Sequence, residues 1–149
     1  MDYQVFSELP EGFDIRMQAA GCYCEHEGKI LLLKRHPNKY QGNTWGVPGG
    51  KFEEGEDARQ AVVREVYEEV GLSVESEDLI HIGTFYIKDA QVEYVFHTFR
   101  KSFIKKPLII LALEEHLEAK WVTIEEAFKL PLIRAGREAL VHYESVAFG

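Results

Sequence analysis

Apolar residues recur along this chain with two periods, one suited to strands and one to helices. "QAAGCYCE" and "KILLLKR" are apolar segments separated by "HEG", a turn signal that predicts a hairpin. "LIHIGTFYI" and "VEYVFHTFR" are rich in β-branched and aromatic residues and predict two further strands. "DARQAVVREVYEEV" reads as a helix, with acids before its start and Gly71 where a C-terminal stop belongs. "TIEEAFKL" predicts a second helix, with Thr123 as N-cap and Glu126 closing a capping box. "RAGREALVHYESV" predicts a last helix. Between these elements, "HPNKYQGNTWGVPGG" reads as one long loop, and a long loop inside a compact chain is often functional. "KPLIILALEEHLEAKWVTI" is apolar, then acidic, with a short strand near Trp121. Helices interspersed with strands imply an α+β fold in which helices cover a mixed sheet.

Composition narrows the picture. A length of 149 residues predicts one domain, residues 1–149, large enough to bury a core. No apolar run approaches the roughly 20 residues of a membrane span. The polar, acidic N-terminus lacks the features of a secretory signal. A cytoplasmic location and no membrane partner are therefore expected. Cys22 and Cys24 share one face of their strand, and no second Cys/His cluster accompanies them. They read as small, half-buried thiols in a reducing compartment. The formal net charge is −8, and Lys34–Arg35 and Arg100, Lys101, Lys105 and Lys106 form only short basic clusters. No basic stripe for extended nucleic acid is present. An acidic chain can still hold a polyanion through divalent cations.

The acidic helix carries that idea. With Glu65 at zero and about 100° per residue, Glu69 lies near +40° and Glu68 near −60°, while Val63, Val66, Tyr67 and Val70 fall between about 100° and 200°. The expectation is a carboxylate side opposite an apolar side, with Arg64 able to pair with Glu68 at i, i+4. Glutamates at i, i+3 and i+4 repel one another, and Glu68 and Glu69 stand where the helix dipole disfavours anions. Bound divalent cations would relieve both penalties, and Mg²⁺ binds through a few carboxylates plus water and substrate phosphates. Upstream, "WGVPGGKFEEGED" adds paired glycines, which let backbone approach a ligand, and further acids.

These residues resemble the Nudix signature: glycine, any five, glutamate, any seven, then Arg-Glu-apolar-any-Glu-Glu-any-Gly-apolar. Here it reads Gly50, Glu56, Arg64-Glu65-Val66, Glu68-Glu69 and Gly71-Leu72, with both spacings intact. The resemblance implies an α/β/α sandwich and hydrolysis of the pyrophosphate linkage of a nucleoside diphosphate derivative, using Mg²⁺, with Mn²⁺ as a substitute. By position, Glu65, Glu68 and Glu69 would be metal ligands, the Gly50 carbonyl would assist, and Glu56 would add a further ligand. Arg64 would orient a box glutamate. The family's general base varies between a box glutamate and a later loop acid, which here means Glu115 in preference to Glu114. Arg35 is a candidate for substrate phosphates or an exposed strand-end cation. Tyr40, Trp45 and Tyr86, with Phe85 and Tyr94, are candidates for stacking on a base or for simple core packing. The proline that follows the box in ADP-ribose hydrolases and the extended motif of NADH hydrolases are missing, and the upstream pattern of coenzyme A hydrolases is poorly matched. The resemblance that remains, to small MutT-like members, implies a (d)NTP cut to (d)NMP and pyrophosphate. A dinucleoside polyphosphate, a nucleotide sugar, or a non-catalytic nucleotide-binding role are the alternatives. The resemblance is also compatible with a homodimer.

Overall fold

The computed structural model describes residues 2–148. The strands are β1 (Tyr3–Phe6), β2 (Met17–His26), β3 (Lys29–Arg35), β4 (Trp45–Gly46), β5 (Gly49–Lys51), β6 (Ile80–Asp89), β7 (Glu93–Ser102) and β8 (His116–Val122). The helices are α1 (Ala58–Val70), α2 (Ile124–Phe128) and α3 (Gly136–Phe148). One mixed sheet runs β1-β6-β7-β2-β3-β4, with β5 paired to β2 and β8 paired to β3. The expected hairpin is β2–β3, turning at Glu27 and Gly28, both at positive φ. β2 and β7 run parallel, and β2 is shared along its length, with β5 on residues 19–21 and β3 at its far end.

Alternation along the strands divides the core into two layers. Ala20, Cys22, Cys24, Leu31, Leu33 and Phe99 pack with Val62, Val66 and Val70 of α1. Tyr23, Ile30, Leu32 and Val122 pack on the other face with Ala127 of α2 and Leu140 and Tyr143 of α3. The result is helix, sheet, helix. Both cysteines are fully buried free thiols rather than half-buried ones. Tyr143 stacks on Tyr23 at 4.1 Å and donates its hydroxyl to Glu25, which also accepts from Arg100 Nη2 at 3.2 Å. Part of the basic cluster is thus a structural ion pair.

Three expectations need correction. β1 was not foreseen: it is a four-residue edge strand, too short to carry a period, and it exists through pairing with β6. The long loop contains β4 and β5, whose glycine-rich sequences lack strand propensity and are held by β3, β2 and the bridge between Trp45 and Leu132. Tyr67, expected on the apolar side of α1, is 61% exposed. The buried arc of α1 includes Ala61, Val62, Val66, Glu69 and Val70. It is therefore turned toward the glutamates, and Tyr67 at about 200° falls outside it.

The caps of α1 fix where that helix begins and ends. The Asp57 carboxylate accepts from the Gln60 N–H at 2.9 Å, and the Gln60 side chain accepts from the Asp57 N–H at 2.9 Å. Gly71 ends the helix in the left-handed region at φ 72°, its N–H donating to the Tyr67 carbonyl. Asp57→Ala removes the bond from the Gln60 N–H and is expected to cost about 1 kcal/mol, measured as a lowered denaturation midpoint with unchanged slope.

Candidate functional site

Arg64 gathers the acids. Its Nε and Nη2 donate to the two oxygens of Glu56 at 2.7 and 2.9 Å, and Nη1 donates to Glu65 and Glu68, each at 2.8 Å. Nη2 also reaches the Lys51 carbonyl at 2.9 Å, and Glu53 lies 2.9 Å from Nε. The expected Arg64–Glu68 pair is present but is one of several. Hydrogen bonding from Arg64 holds the Glu56 carboxyl below the usual range, and Glu56 in turn helps raise the Arg64 pKa. Glu56 spends both oxygens on Arg64, one of them also accepting from the Glu53 N–H.

The paired glycines bring β5 against the carboxylates. A Cβ on Gly50 would lie 2.7 Å from the Glu65 carboxyl carbon, so any larger residue would displace that carboxylate from its present position. A Cβ on Gly49 would lie 2.3 Å from the Ala20 carbonyl oxygen, so glycine is needed there for pairing with β2. The Gly49 N–H donates to Glu69 at 2.7 Å.

Glu69 departs from the expected exposed face: it is only 4% exposed. Burial pushes its carboxyl up to about 9, opposed by the Gly49 N–H and reinforced by Glu65 and Glu115. Burial likewise raises Glu65, against the pull of Arg64. A carboxyl in that state calls for a proton or a cation. Glu68, by contrast, remains half exposed.

The acid from the later loop arrives here. Glu115, exposed, and His116, buried, join Glu69 with one ligand atom from each lying within 4.8 Å of the others. His116 was not singled out from sequence, and its position directly after Glu115 was the available signal. Its Nδ1 is buried without a hydrogen-bond partner, 3.9 Å from Glu69. Burial, with Arg35 nearby, lowers its pKa to about 4, so the ring is neutral at pH 7. Carboxylates with a neutral imidazole make a reasonable donor set for a divalent cation. The orphaned Nδ1 and the elevated Glu69 both fit a divalent cation at this place. Glu114 is not part of this cluster.

A cavity of about 540 Å³ meets the acids at Gly49, Gly50, Arg35 and His116. Its walls include Tyr23, Leu32, Trp45, Val47 and Phe96, and Tyr40, Asp89, Tyr94 and Arg134 also line it. Arg35 is fixed by donation from Nε to the Tyr40 carbonyl at 2.8 Å. Trp45 forms part of the wall but is only 4% exposed, whereas Tyr40 is 58% exposed. Tyr86 is not in the cavity. Phe85 and Ile87 face α3, so alternation sends Tyr86 to the opposite face, where its ring meets Phe13 edge-on at 5.9 Å. Phe85 is core, and Tyr94 lines the cavity, as Asp89 does.

Comparison with known proteins agrees with this geometry. The model of the NUDIX domain matches residues 15–143. The CTP pyrophosphohydrolase of Escherichia coli (strain K12) is 30% identical over 131 residues, 80% of this chain and 84% of that protein. The 8-oxo-dGTP diphosphatase of Proteus vulgaris is 38% identical over 56 residues, 38% of this chain and half of that protein. The crystal structure of a MutT NUDIX hydrolase from Burkholderia pseudomallei superposes with a TM-score of 0.74 at 26% identity, covering 85% of this chain and 96% of that one. With the signature intact on α1 and its acids assembled beside a cavity, the chain belongs to the Nudix family of hydrolases, which act on phosphoric anhydrides.

Proposed function

We propose that this chain works as a single domain that hydrolyses a (d)NTP to (d)NMP and pyrophosphate, with Mg²⁺ as its ion and Mn²⁺ able to replace it. The observation that carries this reading is one cavity of about 540 Å³ whose wall includes Gly49, Gly50 and His116, the residues that lie against Glu69 and Glu65. That volume suits one nucleoside and its phosphates. The relative named for CTP, similar along most of the chain, supports a nucleoside triphosphate.

The residues divide the work. Glu65, Glu68 and Glu69 hold the cation, with Gly50 leaving room at Glu65. A divalent cation supplies charge neutralisation and Lewis acidity toward the phosphate oxygens. Glu56 acts through Arg64, whose guanidinium keeps Glu65 and Glu68 in place. Glu115 takes the proton of the attacking water at its carboxylate, the role of general base. His116, neutral, adds a nitrogen donor beside Glu69. Arg35 steers the phosphate chain, and the aromatic wall with Trp45 and Tyr40 encloses the nucleoside.

The test is a screen of nucleoside triphosphates, dinucleoside polyphosphates and nucleotide sugars with Mg²⁺ and with Mn²⁺, products separated by chromatography. Monophosphate plus pyrophosphate from triphosphates is the expected result. Turnover confined to nucleotide sugars or dinucleotides would replace the triphosphate reading.

Glu68→Gln and Glu69→Gln are each expected to lower kcat by about two orders of magnitude or more with the fold intact, checked by steady-state kinetics and circular dichroism. Unchanged turnover at saturating Mg²⁺ would defeat their assignment as ligands. Gly50→Ala should weaken Mg²⁺ affinity, read by calorimetry, because its methyl group would stand 2.7 Å from the Glu65 carboxyl carbon and force that carboxylate to shift. Glu115→Gln is expected to reduce kcat by about 10²-fold or more with KM little changed; near-normal turnover would remove Glu115 as the base.

A further inference from the structure

One side chain of the cavity has a donor edge that no group among the described residues uses. The Arg134 Nη1 donates to the Tyr40 hydroxyl at 2.9 Å and to Asp89 Oδ2 at 3.2 Å. Its backbone N–H donates to the Gln41 side chain at 2.6 Å. Its guanidinium carbon lies 5.8 Å from the Tyr3 ring centre and 5.9 Å from that of Tyr40. The Asp89 side chain, 4% exposed, is itself fixed by the Gln91 and Val92 N–H groups, each at 2.8 Å. The segment before Arg134 is annexed to the sheet, with Trp45 bonded to Pro131 and Ile133. The guanidinium is therefore held from several directions. Yet Nε and Nη2 have no hydrogen-bond partner among the described residues.

Two features decide what that edge would take. Asp89 already balances the charge of Arg134, so a phosphate gains less here than it would at an unpaired guanidinium. Tyr40 separates this guanidinium from the one at the acids: its carbonyl accepts from Arg35 and its hydroxyl from Arg134. A nucleotide whose phosphates lie at Arg35 would present its base to Arg134, within walls that are otherwise largely apolar.

We propose that Arg134 selects the nucleobase, its Nε and Nη2 donating side by side to two adjacent acceptors. This rests on the reading of a nucleotide substrate given above. Guanine offers O6 and N7, and cytosine offers O2 and N3. Adenine places a donor beside each of its ring acceptors on the amino side, and uracil or thymine places the N3–H between its two oxygens. A parallel donor pair therefore favours guanine and cytosine. In 8-oxoguanine N7 carries a hydrogen, so the O6/N7 edge is lost and the oxidised base is disfavoured against guanine.

The test is calorimetric binding of dGMP, dCMP, dAMP, dTMP and 8-oxo-dGMP to the full chain in Mg²⁺, alongside Arg134→Lys and Arg134→Gln. The lysine variant keeps a cation beside Asp89 and loses the fork. Wild type should bind dGMP and dCMP about tenfold or more tighter than dAMP and dTMP, with 8-oxo-dGMP weaker than dGMP. Both variants should abolish the difference. Equal affinities in wild type overturn the assignment, whatever the variants do. So does an equal loss for all four unmodified nucleotides in Arg134→Lys, which would put the guanidinium on the phosphate. Hydrolysis of triphosphates without base preference removes this assignment alone. Base-selective binding without triphosphate hydrolysis removes only the triphosphate reading.

Discussion

Arg64 stands among four carboxylates and a backbone carbonyl, and the arrangement of the site follows from what it does to them. Glutamates on adjacent turns repel, and no helix propensity offsets that repulsion. The guanidinium offsets part of it by donating to Glu56, Glu65 and Glu68 at once, so a bound cation need not relieve the whole of it. Because Glu56 and Lys51 precede the helix, the same group ties the loop to α1 and fixes β5 relative to the box. Arg64 and Glu56 are mostly shielded from water, so their hydrogen bonds belong to the stronger, charge-assisted kind.

What Arg64 does not reach is as informative. Glu69 is one turn beyond Glu65, yet it is buried against Gly49 and held with Glu115 and His116. The acids thus fall into two groups, one neutralised by an arginine and one left short of positive charge. Glu65 stands between them, bonded to Arg64 and close enough to Glu69 to raise its pKa. The cavity meets this second group, at the glycines and His116.

The sheet makes the meeting possible. β2 lends its edge to β5, which sets the glycines over α1, and β3 pairs with β8, which begins at His116. The 3.9 Å approach of His116 to Glu69 depends on the chain before β8. There the Ile110 and Ala112 N–H groups donate to the Val70 and Glu69 carbonyls at the end of α1. That stretch satisfies helix-terminal acceptors and delivers the loop acid in one course.

The local features were legible in the sequence. Hydrophobic period gave the hairpin and the long strands, the Asp57 and Gly71 positions marked the ends of α1, and Thr123 with Glu126 marked α2. The spacing from Gly50 to Leu72 identified the family, because helix phase and loop length are set by residues near one another in the chain. Tertiary structure decided the rest. Whether Glu69 faces water or β5, which face carries Tyr86, and whether Arg134 meets Tyr40 and Asp89 all depend on strand register and on contacts between distant segments. A one-residue change in the register of β6 would move Tyr86 to the other side of the sheet without altering any local propensity. The sequence alone determined the bond that is cut, through a compact motif of charge and glycine. Only packing between remote segments decided which glycines, acids and arginines come together beside the cavity.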